Sequence, residues 1–126
     1  MRKIRSEILS QDEVDSLLGC DGEEDRGGKK FDAGKARWDL LPMDALAEIV
    51  AVYTYGARKY DDQNWRKGIS YSRIIGAILR HFTSFCLREE KDPESGLPHL
   101  AHAGWGILTL IWYCKHRREF DDRYKI

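Results

Sequence analysis

Between positions 81 and 102 the chain collects the side-chain types best suited to acid–base or metal chemistry. His81, Phe85 and Glu89 follow one another at i+4 spacing, so His81 and Glu89 fall on nearly the same helical face, two turns apart. Glu89, Glu90, Asp92 and Glu94 then crowd one turn, and His99 and His102 stand three apart at the start of the next helical run. An antiparallel hairpin would bring those acids near the His pair. The product is an oxygen-and-imidazole cluster able to bind a divalent metal or to place a general base. A histidine at a helix start can equally serve only to bond backbone or pair with a carboxylate. That structural role is favoured for His81 alone, and the functional one for His99 and His102 beside four acids.

Charge is segregated by loop. Lys29, Lys30, Lys35 and Arg37 face Asp32 alone in the first basic stretch, while Arg58, Lys59, Arg66 and Lys67 accompany Asp61 and Asp62 in the second. Fixed cationic donors suit phosphate oxygens, and clustered carboxylates suit a hard divalent cation. Together on one small domain they are what a nucleoside polyphosphate with Mg²⁺ requires; solvated loop charge is the bland alternative, and it holds for any single lysine. Aromatic residues accompany the basic loops: Phe31 and Trp38 in the first, Tyr55, Tyr60 and Trp65 around the second. A base can stack on such rings. Each is by default a core residue, with Trp38 and Trp65 read as exceptions.

These side chains need helices to position them. Pro42 suits a first helical turn, and Leu46, Ile49, Val50, Tyr53 and Ala57 share a face of a helix running to about Lys59. Ser70 can cap a second helix carrying Ile74, Ile75, Ile78, Leu79, Phe82, Phe85 and Cys86 on one face. Asp92-Pro93 and Ser95-Gly96 break the chain, and a third helix spans Pro98 to about Arg118, with basic residues at its negative end. No segment alternates convincingly as a strand. The fold class expected is all-α, a three-helix unit.

The third helix is apolar on nearly all sides, from Trp105 to Tyr113. Two other helices cannot cover it, which predicts a homo-oligomer completing a larger bundle; wrapping by the N-terminal segment is the alternative. Its apolar run, Leu100 to Cys114, is shorter than the roughly 20 residues a bilayer demands. With no apolar signal core near the N-terminus, the expectation is a cytoplasmic protein without membrane contact. The 126 residues suffice for one domain. Twenty-one basic and 21 acidic side chains give zero net charge, which argues against general nucleic-acid coating. Cys20, Cys86 and Cys114 show no metal-type spacing, and the last two read as reduced core residues.

Residues 1–28 stand apart as a flexible tail ahead of a nucleotide-binding domain over 29–126. The tail holds a short amphipathic segment from Ile8 to Leu18, with Ser10 and Glu13 as a capping box, then an acidic, glycine-rich linker.

The run from Lys30 to Pro42 resembles the opening of a phage-abundant domain family named for the N-terminal region of dATP/dGTP diphosphohydrolases. Tyr55-Gly56-Ala57-Arg58-Lys59-Tyr60, Asn64-Trp65-Arg66-Lys67-Gly68, Arg80-His81 and the block from Glu90 to Ala103 continue the match in order, over roughly 29 to 116. That family is similar to the all-α (MazG-like) nucleoside triphosphate pyrophosphohydrolases, which cleave between the α- and β-phosphates using Mg²⁺. The resemblance implies a phosphorylated-nucleotide ligand. It implies Glu89, Glu90, Asp92 and Glu94 as metal ligands and Glu90, His99 and His102 as catalytic groups. Lys35, Arg37, Trp38, Lys59, Asn64, Trp65, Lys67, Arg80 and His81 become the substrate-binding set. The chain departs from the enzymes' pattern, an E-x-x-E pair on one helix and E-x-x-D on the next: His99 and His102 hold that spacing here. Hydrolysis of a purine deoxynucleoside triphosphate is the first reading. The alternative is a non-catalytic sponge for a cyclic-nucleotide or ADP-ribose-derived immune signal. Ile8 to Leu18 separately resembles the short docking peptide of flagellar switch proteins, implying a protein-docking tag over 8–18 and, as a third reading, a pure adaptor.

Overall fold

The computed structural model describes Ser10, Asp12 and residues 27–126. Apart from Ser10 and Asp12, the docking-type segment 8–18 lies outside the described residues. The chain divides into two compact units, Met1–Leu41 and Pro42–Ile126. In the first, Lys35 N–H closes a turn on the Asp32 carbonyl (3.1 Å), with Gly34 at φ 80°. A single 3-10 turn follows at Trp38–Leu40. Arg37 grips Asp39 through two 2.8 Å hydrogen bonds, and Trp38 is 68% exposed.

The second unit is three helices, α1 (Met43–Lys59), α2 (Tyr71–Cys86) and α3 (His99–His116), with 3-10 turns at Asn64–Lys67 and Arg118–Phe120. Among the described residues there is no strand, only an isolated bridge between Lys91 and Pro98. The fold is all-α, as the periodicity indicates. Pro42 stands at the α1 N-cap, where its missing N–H costs nothing and its carbonyl accepts from Leu46 N–H at 3.0 Å. α3 is the central helix, packing along α1 and more extensively along α2. Glycine permits the closer crossing: a Cβ on Gly106 would collide with the Ile78 side chain. The core centres on Tyr71, Ile74 and Tyr113, with Trp65, Ile69, Ile78, Trp105 and Phe120 against it. Tyr113 OH donates to the Trp65 carbonyl at 2.5 Å and Tyr53 OH meets Thr109 Oγ1 at 2.7 Å, while the buried Tyr71 OH has no hydrogen-bond partner among the described residues.

Three expectations need correction. Ser70 precedes α2 but makes no side-chain cap. The Asp122 carboxylate, from the C-terminal segment, instead accepts Ser72 N–H (2.8 Å) and Ser72 Oγ–H (2.5 Å), capping the helix from fifty residues away. Those bonds hold the Asp122 carboxyl below the usual carboxylate range. Cys86 is exposed and not a core residue, whereas Cys114 is partly buried and packs against the core as expected. Trp65, read as standing apart from the core, is half-buried and packs edge-on against Tyr53 (5.3 Å) and Trp112 (4.9 Å).

α3 buries its small residues Ala101, Ala103, Gly106 and Thr109 together with Tyr113. Leu100, Ile107, Leu108 and Ile111 remain between 43% and 53% exposed. No helix among the described residues is long and apolar enough to cross a membrane.

Candidate functional site

The α2–α3 turn is shaped by backbone before side chains enter. α2 ends in a Schellman motif: Arg88 N–H bonds the Phe85 carbonyl and Glu89 N–H the Ser84 carbonyl, each at 3.0 Å. Arg88 takes the left-handed φ of 74° usually left to glycine. The turn is then closed by His99 N–H on the Glu90 carbonyl (2.8 Å), Asp92 N–H on the Leu97 carbonyl (2.8 Å) and Gly96 N–H on the Asp92 carbonyl (2.7 Å). This frame starts α3 directly opposite the last turns of α2; Glu89, expected on one helical face with His81, instead lies beyond the end of α2 at Cys86 and reaches His99 from the turn.

Two hydrogen-bonded chains run through the turn. In the first, His99 Nε2 meets Glu89 Oε1 at 2.7 Å, and His99 Nδ1 faces His81 Nδ1 at 2.8 Å. His99 is 3% exposed. In the second, Asp92 Oδ2 accepts from Ser95 N–H and Ser95 Oγ–H, each at 2.9 Å, while Ser95 Oγ lies 2.7 Å from His102 Nε2. Because the Ser95 hydroxyl donates to Asp92, it accepts from His102 Nε2–H, and His102 keeps its lone pair on Nδ1. The His81 and His102 rings stack at 4.5 Å and 8°, joining the chains.

Burial, first, and the neighbouring imidazoles push both His81 and His102 below the ordinary imidazole value, so they stay neutral; the Asp92 charge opposes this only in part. Burial on its own would raise Asp92, but the two Ser95 hydrogen bonds and the nearby His102 and His81 outweigh it, and its carboxyl titrates lower than usual.

Beside this network opens a cavity of about 450 Å³, within the usual range for ligand pockets. α1 supplies Tyr53, Tyr55, Gly56 and Lys59; the following loop supplies Tyr60, Asp61, Asn64 and Trp65. Arg73, His81, Asp92, Glu94, His102 and Trp105 complete it. Tyr53 lies against Trp65 and, at 6.0 Å, against Trp105. The Arg73 guanidinium has no hydrogen bond or ion pair among the described residues. Lys59 Nζ and Tyr55 OH both bond Glu94 Oε1, at 2.5 and 3.1 Å. The Lys59 and Tyr55 bonds hold the Glu94 carboxyl down, and the bond to Glu94 holds Lys59 up.

The cavity thus brings together Lys59, Asn64, Trp65, His81, Asp92, Glu94 and His102 of the expected residues. The other expected residues of the second unit do not line it. Lys67 pairs with Asp61 at 3.0 Å, and Arg80 lines a separate cleft beside Arg73 and Trp105. Lys35, Arg37 and Trp38 belong to the first unit. His99 is buried behind His81, and Glu90 contributes its carbonyl to the turn. The four acids read as a Mg²⁺ set are not drawn into one cluster, since Glu94 is taken by Lys59 and Tyr55 and Glu89 by His99. Sequence reasoning missed Arg73, Tyr53, Trp105 and Ser95. Arg73 is one of two arginines on an apolar-patterned helix, with no local signal marking it.

With that geometry in place, comparison with known proteins gives a consistent answer. The family model described as dATP/dGTP diphosphohydrolase, N-terminal, matches residues 25–123. A dATP/dGTP diphosphohydrolase from Salmonella phage PMBT28 is 35% identical over 96 residues, 76% of this chain and 33% of the relative, so the chain spans about a third of that protein's length. No solved structure matches. The chain belongs to the dATP/dGTP diphosphohydrolase N-terminal family.

Proposed function

We propose that the chain binds a purine deoxynucleoside triphosphate in the α1–α3 cavity and hydrolyses it between the α- and β-phosphates, with Mg²⁺ arriving as the nucleotide's counter-ion. One observation carries the reading: the same cleft in a member of this family holds ring faces, an unpaired guanidinium and neutral imidazoles. Tyr53, Trp65 and Trp105 offer the base an aromatic wall. Arg73 and Lys59 offer donors to phosphate oxygens. The reaction needs an acceptor for the proton of the attacking water. His102 suits that task, being kept neutral by burial and having Nδ1 left as acceptor by the Asp92–Ser95–His102 chain. His99 acts through its neighbours, since it is buried and spent on Glu89 and His81. This reading places the activity in the cytoplasm of an infected host.

The sponge reading draws on a specific fact, that the acids near the cavity are already partnered. A nucleotide panel with Mg²⁺, resolved by chromatography before and after heat denaturation, separates the two. Nucleoside monophosphate and pyrophosphate appearing with turnover supports hydrolysis. Intact nucleotide released only by heat supports sequestration.

The exposed Leu100, Ile107, Leu108 and Ile111 on α3 also support pairing with a second copy. Light scattering of the wild type is expected to give more than one chain's mass. The double change Ile107→Glu and Ile111→Glu should lower it, because assembly would bury unpaired charge. A monomer mass for the wild type at micromolar concentration contradicts this.

A further inference from the structure

We infer that His81, His99 and Asp92 form a site for a first-row divalent transition ion, distinct in donor chemistry from an all-carboxylate Mg²⁺ site. One ligand atom from each lies within 4.8 Å of the others, with His99 buried and the other two half-buried. Two imidazoles and one carboxylate are the donor set favoured by Mn²⁺, Fe²⁺, Co²⁺ and Ni²⁺ over Mg²⁺, and a three-ligand set leaves positions open to a substrate oxygen.

The outer hydrogen bonds are those a metal site needs. His99 gives its Nε2 to the Glu89 carboxylate at 2.7 Å, leaving Nδ1 as its ligand atom. That carboxylate–histidine arrangement fixes the tautomer and the ring orientation. Asp92 is oriented by Ser95 through Oδ2, which leaves Oδ1 unclaimed. His81 is braced by its stack on His102.

The two facing Nδ1 atoms, 2.8 Å apart, need a positive centre between them. Without metal that centre is a proton, donated by His81 Nδ1 to His99 Nδ1. With metal bound, the His81 proton moves to Nε2 and both Nδ1 lone pairs face the ion. At metal–nitrogen distances of about 2.1 Å, ligand angles near 90° put two nitrogens about 3.0 Å apart and tetrahedral angles about 3.4 Å apart. The six-coordinate geometry therefore asks for the smaller movement.

The inference stands on this geometry and goes beyond the nucleotide reading, so the metal is probed alone. Calorimetric titration of the metal-free chain with CoCl₂ and with MnCl₂, against MgCl₂, reads the site. Co²⁺ and Mn²⁺ are expected to bind one per chain at least tenfold more tightly than Mg²⁺. Asp92→Asn and His81→Gln should each weaken Co²⁺ by more than about a hundredfold, and Glu89→Gln by about ten- to hundredfold through the outer shell. Circular dichroism of each variant separates lost metal from lost fold, and the half-exposed Glu89 keeps the test informative if His81→Gln misfolds. Equal affinity for Mg²⁺ and Co²⁺ overturns the site. So does loss on Glu94→Gln with Asp92→Asn silent, or no Co²⁺ binding at all. None of these results bears on whether nucleotide binds, and nucleotide hydrolysis without Co²⁺ affinity would leave the function standing and the site refuted.

Discussion

The α2–α3 turn and the α1–α2 loop both set polar side chains beside the cavity, and they do it by opposite means. At the turn, Glu89, His99 and His81 form one chain and Asp92, Ser95 and His102 another, with His99 buried and the His81 and His102 rings stacked. In the loop, Lys67 and Asp61 pair at 3.0 Å with side chains 65% and 52% exposed. His81 and His102 each have their tautomer set by a partner already bonded elsewhere, His99 to Glu89 and Ser95 to Asp92. The loop pair competes with water and salt, and holds its geometry weakly. Chemistry that depends on placement belongs to the turn, and electrostatic attraction of a polyanion to the loop.

The largest effects should follow from breaking the turn. Asp92→Asn and His102→Ala are expected to lower hydrolysis by about 10²–10⁴-fold, the usual worth of a positioned proton acceptor, with helical circular dichroism retained. Single-turnover product analysis checks it; full activity in both variants would remove the turn from the mechanism.

A second contrast appears in pH dependence. His81 and His102 titrate below the ordinary imidazole value of 6.5. The unfolded chain therefore binds more protons than the folded one between the lowered values and 6.5. Stability should rise with pH across that window, be complete above it, and fall as pH drops through it. Thermal melts of the wild type between about pH 7 and pH 5 should show this decline, and His81→Gln with His102→Gln should flatten it. An unchanged slope in the double variant would assign the titration elsewhere.

The smallest effect belongs to the loop. Lys67→Ala should weaken nucleotide affinity by about twofold or less, with the loss vanishing at high salt. A tenfold, salt-insensitive loss measured by calorimetry would mean that Lys67 leaves Asp61 to hold a phosphate.

Helix periodicity made the three helices legible, because burial on one face leaves a repeating apolar signature; α1 begins one residue after Pro42 and α3 one after Pro98. The approach of Glu89 to His99 followed from the expected antiparallel hairpin, whereas the His81–His99 contact and the end of α2 before Glu89 did not. Other features leave no local trace. Asp122 caps α2 from the far end of the chain, so the nearby Ser70 looked sufficient. The end of α2 carries Arg88 where a glycine would have announced the turn. The partners of Glu94 lie on α1, 35 and 39 residues away, and only the folded chain shows that this acid is engaged. The cavity itself depends on where rings meet: Tyr53, Trp65 and Trp105 come from three separate elements.

Occupancy of that cavity is the central claim, and Gly56 offers a direct test. It stands on the α1 wall with open space where a Cβ would be. Gly56→Leu would add bulk on that wall without removing a charged or ring-bearing group, and leucine is a far better helix former than glycine, which stands roughly 0.8–1.0 kcal/mol below alanine. Calorimetric titration of wild type and Gly56→Leu with dATP or dGTP should show binding to the wild type, at least a tenfold weaker response in the variant, and an equal or higher melting temperature for the variant. Equal affinity in the two proteins, or no binding of either nucleotide to the wild type, would contradict the account.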